Sequence, residues 1–262
     1  MPMSAGWVPV AGGAAGAVVM ALLWWRQLRT LNAGSVDVAW TLLVGSLGAA
    51  AALLGDAPWQ RRAVLLVLVA AWASRLAIHL ARRVAHEPED GRYHDMRVRW
   101  GARAPRNFFL VYEAQAVLAA VLSIPFVIAA SSRSPLGVAD VAGALLGAGA
   151  LAGEAVADRQ LAAWRQDPAH AGLTCRGGLW RWSRHPNYFF EWLQWCARAL
   201  LACGAASWWL AWLLGPALML AFLLKLSGIP FAEAQALRSR RDYAEYRRTT
   251  SAFVPLPPRA RA

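Results

Sequence analysis

The feature that most constrains this chain is a series of long uncharged runs. Residues 5–25, 38–55 and 199–224 contain no Asp, Glu, Lys or Arg, and 63–81, 108–130 and 138–156 are nearly as apolar. About 20 apolar residues in helical conformation cross the hydrocarbon core of a bilayer. Inside that core a backbone must satisfy its own hydrogen bonds, and a continuous run does so as an α-helix. The chain is 58% hydrophobic with a mean hydropathy of +0.35, which is too apolar for a soluble domain. Its fifteen tryptophans suit interfacial belts. The expectation is an all-α, multi-pass integral membrane helix bundle.

The last uncharged run holds Trp208-Trp209 near a bend and Pro216 inside. It divides into the end of a sixth helix, to about residue 203, and a seventh over about 207–228, which brings the expected spans to seven. The first run has no basic segment before it, so it reads as a transmembrane helix and not as a cleaved signal peptide. Within it, Gly12 and Gly16 are spaced for close helix packing. Residues 1–228 form the bundle, and the polar segment 229–262 belongs to the same domain. Arg75, His79 and Arg82 share one face of the third span, a placement that invites a functional or a snorkelling explanation.

The net charge is +12, and Lys225 is the only lysine among 27 basic residues. In a membrane chain this excess marks cytoplasmic loops and argues for a bilayer, not a nucleic acid, as partner. The segments 82–107, 157–185 and 229–262 are arginine-rich. Seven spans with the N-terminus outside and the C-terminus in the cytoplasm put all three on the inner face. Three cysteines form no CxxC pair, and the five histidines have no ligand spacing, so neither a disulfide framework nor a metal site is expected. No GxGxxG follows a strand, which excludes a Rossmann domain.

The most informative stretch is residues 175–198, CRGGLWRWSRHPNYFFEWLQWCAR. A loop rich in Arg, Gly and Trp meets Pro186, which suits a first helical turn because it has no N–H to satisfy. Asn187, Glu191, Gln194 and Arg198 then recur every three or four residues on one helix face. Such a stripe needs partners, since an unpaired buried polar group costs roughly 2–7 kcal/mol.

Gly178 to Tyr188 (GLWRWSRHPNY) resembles the signature of membrane steroid 5-alpha-reductase-like enzymes, the bacterial DUF1295 branch in particular. Sterol reductases carry a similar Arg-His-Pro-Asn-Tyr and, more loosely, so do isoprenylcysteine methyltransferases. The likeness runs with lower specificity from about residue 35 to 257. It implies a bacterial inner-membrane protein, expected as a monomer, with a cofactor site on the cytoplasmic face. Arg92-Tyr93-x-x-Met96-Arg97 is similar to the family loop that reaches cofactor phosphates. The Asp158 to Arg165 spacing is similar to that of a cofactor-binding pair in the steroid reductases, with Glu154 where those enzymes have Asn. The tail segment around Tyr243 and Tyr246 resembles one that folds over the cofactor. At the mouth of the second span, Asp37 lies in an Asp-x-x-Trp motif of this branch, where a helix-capping role is the competing explanation. The Gln-Glu pair by which steroid reductases grip their substrate is absent.

These likenesses lead to an expected activity: NADPH-dependent reduction of a carbon–carbon double bond, conjugated to a carbonyl, in a lipidic substrate. Asp37, then Tyr93, are the candidates for polarising the carbonyl. Asn187, Tyr188 and Glu191 would hold the nicotinamide-ribose end. Arg92, Arg97, Asp158, Arg165, Arg176, Arg184 and His185 would take phosphates and adenosine ribose, with Tyr243 covering them. Guanidinium suits phosphate because it binds bidentately and stays charged. The rival readings are an S-adenosylmethionine-dependent methyltransferase, a non-catalytic lipid-binding protein and a transporter.

Overall fold

The computed structural model of the chain describes residues 5–203, 209–226 and 228–259. Every regular element among them is helical. Six helices are long and apolar enough to cross a membrane: Ala5–Thr30, Ser35–Leu54, Trp59–His86, Gly91–Ser131, Val138–Gln166 and Leu213–Ser239. The helix that carries the polar stripe, Pro186–Cys203, is not among the six. Asn187, Glu191, Gln194 and Arg198 take up too much of its 18 residues. The break expected at 204–206 and the start of a last helix near 207 lie outside the described residues.

The chain forms two compact units. The first comprises residues 1–144 and 198–214, the second 145–197 and 215–262. In the first unit, α1 (Val8–Thr30), α2 (Ser35–Leu54), α3 (Trp59–His86) and α5 (Ala104–Ser131) pack together. Their contacts rest on small residues that let helices approach closely. A Cβ at Gly12 would lie 2.0 Å from Leu47 Cδ2, and one at Gly16 would lie 2.5 Å from Leu43 Cδ2, so the expected small-residue face of α1 receives two leucines of α2. A Cβ at Gly45 would meet that of Ala73 at 2.4 Å.

The segment expected as a polar loop over 82–107 is mostly helical. α3 continues to His86, α4 occupies Gly91–Trp100, and α5 starts at Ala104. Asp90 caps α4 by accepting from the Arg92 N–H at 2.8 Å, which is why a polar sequence turns helical here. At the opposite end of this unit, Arg61 is 1% exposed and makes a bidentate pair with Asp140, at 2.8 and 2.7 Å. Its remaining N–H groups donate to the carbonyls of Ser132, Ser134 and Pro135. This cation is therefore neutralised inside the protein.

In the second unit lie most of α6 (Val138–Gln166), most of α7 (Pro186–Cys203), the end of α8 (Trp209–Ala221), α9 (Ile229–Ser239) and α10 (Tyr243–Thr249). A π-helical turn over Phe222–Leu226 separates α8 from α9. Pro186 opens α7, as its missing N–H allows. Before it, Gly178 adopts φ +56°, a left-handed conformation that favours glycine. A Cβ there would fall 2.3 Å from Gln160 Nε2. That close approach lets Gln160 accept from the Leu179 N–H at 2.9 Å, while Trp180 Nε1 donates to the Ala157 carbonyl at 2.9 Å. The Arg/Gly/Trp loop is thus fastened to α6.

Candidate functional site

In the first unit the candidates converge where α2 begins. Asp37 sits in the first turn of α2, where a negative charge is favoured. Its carboxylate does not cap the helix. Oδ1 accepts from Tyr93 Oη at 2.7 Å and Oδ2 accepts from Arg92 Nη2 at 3.0 Å, so the capping explanation of Asp37 gives way to a tertiary one. Arg92 Nε also donates to Asp90 at 3.0 Å, and Arg83 Nη2 reaches the other Asp90 oxygen at 2.6 Å. Burial alone would raise the Asp90 carboxyl, but the Arg92 and Arg83 guanidiniums outweigh it and hold it below the ordinary carboxylate value.

Arg97 belongs to a second network in the same unit. It donates to Glu89 at 2.7 Å and to Gln27 at 3.1 Å, and its guanidinium lies over the Phe108 ring at 4.6 Å. Glu89 also accepts from the Ala33 N–H at 2.9 Å, which ties the segment before α4 to the α1–α2 turn. Beside these networks is a depression of about 300 Å³, part of it open to solvent, whose wall includes Asp37, Asp90, Arg83, Leu80 and Val84. Most of that space is open surface, and the enclosed part is about 20 Å³, room for a water or two and not for a ring, a headgroup or a dinucleotide.

In the second unit the candidates surround the start of α7. Arg184 Nε donates to Glu233 Oε1 at 2.7 Å and Nη1 donates to the carbonyls of Arg247, at 2.9 Å, and Thr250. Its own N–H donates to the Ser251 carbonyl at 2.8 Å. Both partners of the Arg184–Glu233 pair are buried. Arg184 therefore holds the C-terminal segment. Arg176 donates to the Asp242 carbonyl at 2.9 Å and to Glu245 at 3.2 Å. Thr174 donates to Asp242 from both N and Oγ1, at 3.0 and 2.7 Å. Burial pushes the Asp242 carboxyl up, but Thr174 and Arg176 together hold it below its usual value.

His185 stacks on Tyr188 with ring centroids 5.3 Å apart and planes 9° from parallel. Burial lowers its pKa despite Glu233 Oε1 at 3.5 Å, so the ring favours the neutral state. Further along α7, Asn187 Nδ2 donates to Asp158 at 3.4 Å, Gln194 Nε2 to the Gly147 carbonyl at 2.9 Å, and Trp195 Nε1 to Glu191 at 3.0 Å. The stripe has found its partners. Arg198, which belongs to the first unit, lies over the Trp72 ring at 4.3 Å. Arg165 is exposed near the end of α6. Tyr243 is buried against Tyr246, and burial raises its hydroxyl to about 12. Tyr246 Oη donates to the carbonyls of Trp180 and Ser183, which joins α10 to the loop before α7.

A polyanionic cofactor needs spare donors. Among the cofactor candidates of the second unit, Arg176 Nε is buried without a hydrogen-bond partner, and His185 Nε2 lies 3.5 Å from Glu233 Oε1. Close to His185 in the chain, Asn187 Nδ2 and the Asp158 carboxylate that accepts from it supply a donor and an acceptor of the kind ribose hydroxyls pair with. Sequence reasoning overlooked Glu89, Asp90, Gln27, Asp242 and Thr174, which hold the arginines in place. Asp90 stands immediately before a helix, the position where a capping Asp is expected. The other four have no comparable local signal.

No curated protein and no solved structure matches the chain. A family model described as a protein of unknown function, DUF1295, matches residues 23–250, which includes Asp37, α4, the Arg/Gly/Trp loop, the α7 stripe and α10. The chain belongs to the DUF1295 family.

Proposed function

We propose that the protein is an NADPH-dependent membrane reductase of a carbon–carbon double bond in a lipidic substrate, with the bond conjugated to a carbonyl. The observation that carries this reading is the Asp37–Tyr93–Arg92 cluster at one end of an apolar helical unit, beside an open depression. The resemblance of Gly178 to Tyr188 to steroid 5-alpha-reductase-like enzymes supports it. When bound, the cofactor supplies a hydride for the electron-poor carbon of the double bond, and a proton completes the other carbon.

This chain's residues orient the reactants and stabilise charge. Buried Tyr93 and half-buried Arg92 form a donor pair on the Asp37 carboxylate. A substrate carbonyl reaching Tyr93 takes the phenolic hydrogen bond now given to Asp37, and Arg92 offsets the charge that develops on oxygen. Asp37 holds Tyr93 in place until the substrate arrives, and the proton that completes the other carbon comes from water. Arg176, His185, Asn187, Tyr188, Glu191 and Asp158 serve the cofactor. Arg165 is assigned to its phosphates. Arg184 and Tyr243 act by holding the tail. At the other end of the first unit Asp140 neutralises Arg61 and Asp56 pairs with Arg133, which supports an outside N-terminus and a cytoplasmic site in a bacterial inner membrane, with seven spans as part of the proposal. A monomer suffices for this arrangement.

Thermal unfolding of the detergent-solubilised protein tests the reading. NADPH at 100 times its dissociation constant should add roughly 2.7 kcal/mol, and Asn187→Ala should weaken that binding about tenfold, the loss of one neutral hydrogen bond near 1.4 kcal/mol. Stabilisation by S-adenosylmethionine with none by NADPH would overturn the proposal and favour a methyltransferase.

A further inference from the structure

The C-terminal segment beyond α10 bends over residues 252–254 and lies against the loop that precedes α7. The Arg184 N–H donates to the Ser251 carbonyl at 2.8 Å, Ser183 Oγ to the Phe253 carbonyl at 2.8 Å, and the Leu256 N–H to the Trp182 carbonyl at 2.9 Å. Phe253 turns inward, with its ring 5.7 Å from Phe189 and 5.9 Å from Trp192. Val254 and Leu256 turn outward, 47% and 52% exposed, next to Trp182 at 42%. Arg181, Arg248 and Arg259 are exposed around them. Three large apolar groups held open by a hydrogen-bonded backbone, with arginines at the margin, are not explained by the cofactor site.

We infer that this patch is a seat for the anionic surface of the bilayer in which the protein is embedded. Two features select that occupant. The candidate spans Val138–Gln166 and Leu213–Ser239 end about a dozen residues before the loop and the tail that build the patch, which places those segments on the chain just beyond the ends of two membrane helices. Tryptophan with aliphatic neighbours and flanking arginines is the chemistry of the membrane interface, where ring and methyl groups enter the acyl boundary and guanidiniums meet lipid phosphate. The lipid clamps the tail from outside as Arg184 clamps it from within. This role is independent of any reductase activity.

The test uses the full chain in nanodiscs of phosphatidylcholine alone or mixed with phosphatidylglycerol, with hydrogen exchange read at residues 249–259. Anionic lipid should slow exchange by about fivefold for each arginine engaged, since one basic residue near such a surface contributes about that factor. The combined variant Arg181→Gln, Arg248→Gln, Arg259→Gln should abolish the difference between lipids. Emission lost in Trp182→Phe should be quenched by lipids brominated near the headgroup. Equal exchange in both lipids overturns the inference, and so does slowing by inorganic phosphate in pure phosphatidylcholine. Trp182-dependent emission that brominated lipid leaves untouched does the same.

Discussion

Replacing Glu233 by alanine should release the C-terminal segment. Its carboxylate takes Arg184 Nε and Nη2 at 2.7 Å each, Arg247 Nε at 3.4 Å, and faces His185 Nε2 at 3.5 Å. Arg184 and Glu233 are 9% and 8% exposed, so removing the acid strands a guanidinium that water cannot reach. Breaking a buried pair from one side costs roughly 3–5 kcal/mol. Arg184 also holds the carbonyls of Arg247 and Thr250, and its N–H holds Ser251, so the loss falls on the tail's attachment. Trypsin cuts after Arg247 and Arg248, and a tail that opens and closes quickly is cut in proportion to its open population. The expected acceleration is therefore roughly a hundredfold to several thousandfold. Glu233→Gln keeps the volume and one acceptor and loses the charge. It should cost about 1–3 kcal/mol, an acceleration of roughly ten- to a hundredfold. Cleavage of the alanine variant at nearly the wild-type rate, with the helices intact by circular dichroism, would refute the assignment of Arg184 as the tail's clamp.

The same attachment should respond to acid. Burial lowers the His185 pKa below its ordinary 6.5, so between the folded and unfolded values the unfolded state binds more protons. Stability is then complete above about pH 6.5 and is lost as the pH falls towards the folded value. Tryptic release of the tail, corrected for the enzyme's own pH profile, should quicken from about pH 7.5 to 5.5 and do so less in His185→Gln. In the first unit, Gly55→Ala should destabilise by at least about 1–3 kcal/mol, because the new Cβ would lie 2.2 Å from the Ala130 carbonyl oxygen, a backbone atom that cannot turn aside. Gly137→Ala, whose Cβ would meet nothing within 4 Å, is the matched control and should leave the melting temperature nearly unchanged.

Much of the architecture was legible in the chain itself. The uncharged runs announce membrane helices because lipid leaves the backbone no partner but itself, and a run of about 20 residues has the required length. Six of the expected crossings correspond to helices of sufficient length and apolarity. Pro186 marks the start of α7 because a proline lacks the N–H that a first turn does not use. The spacing of Asn187, Glu191 and Gln194 showed that they share a face, since helical periodicity is a local property. The helical course of 91–100 was harder to see. A polar, charged segment looks like a loop, and only the Asp90 cap and the partners of Arg92 and Arg97 make it a stable helix.

Which charge meets which was decided by the tertiary structure. Sequence reasoning grouped the arginines by their common fitness for phosphate, and that fitness says nothing of the partners each one has. Arg184 is committed to Glu233, 49 residues away, Arg97 to Gln27, 70 residues away, and Tyr93 to Asp37, 56 residues away. Arg61 and Asp140 neutralise each other across 79 residues. Helix and span are encoded locally by length, period and apolarity. Pairings across the chain depend on how helices pack, and that depends on where small residues such as Gly45 and Gly55 let two backbones come together.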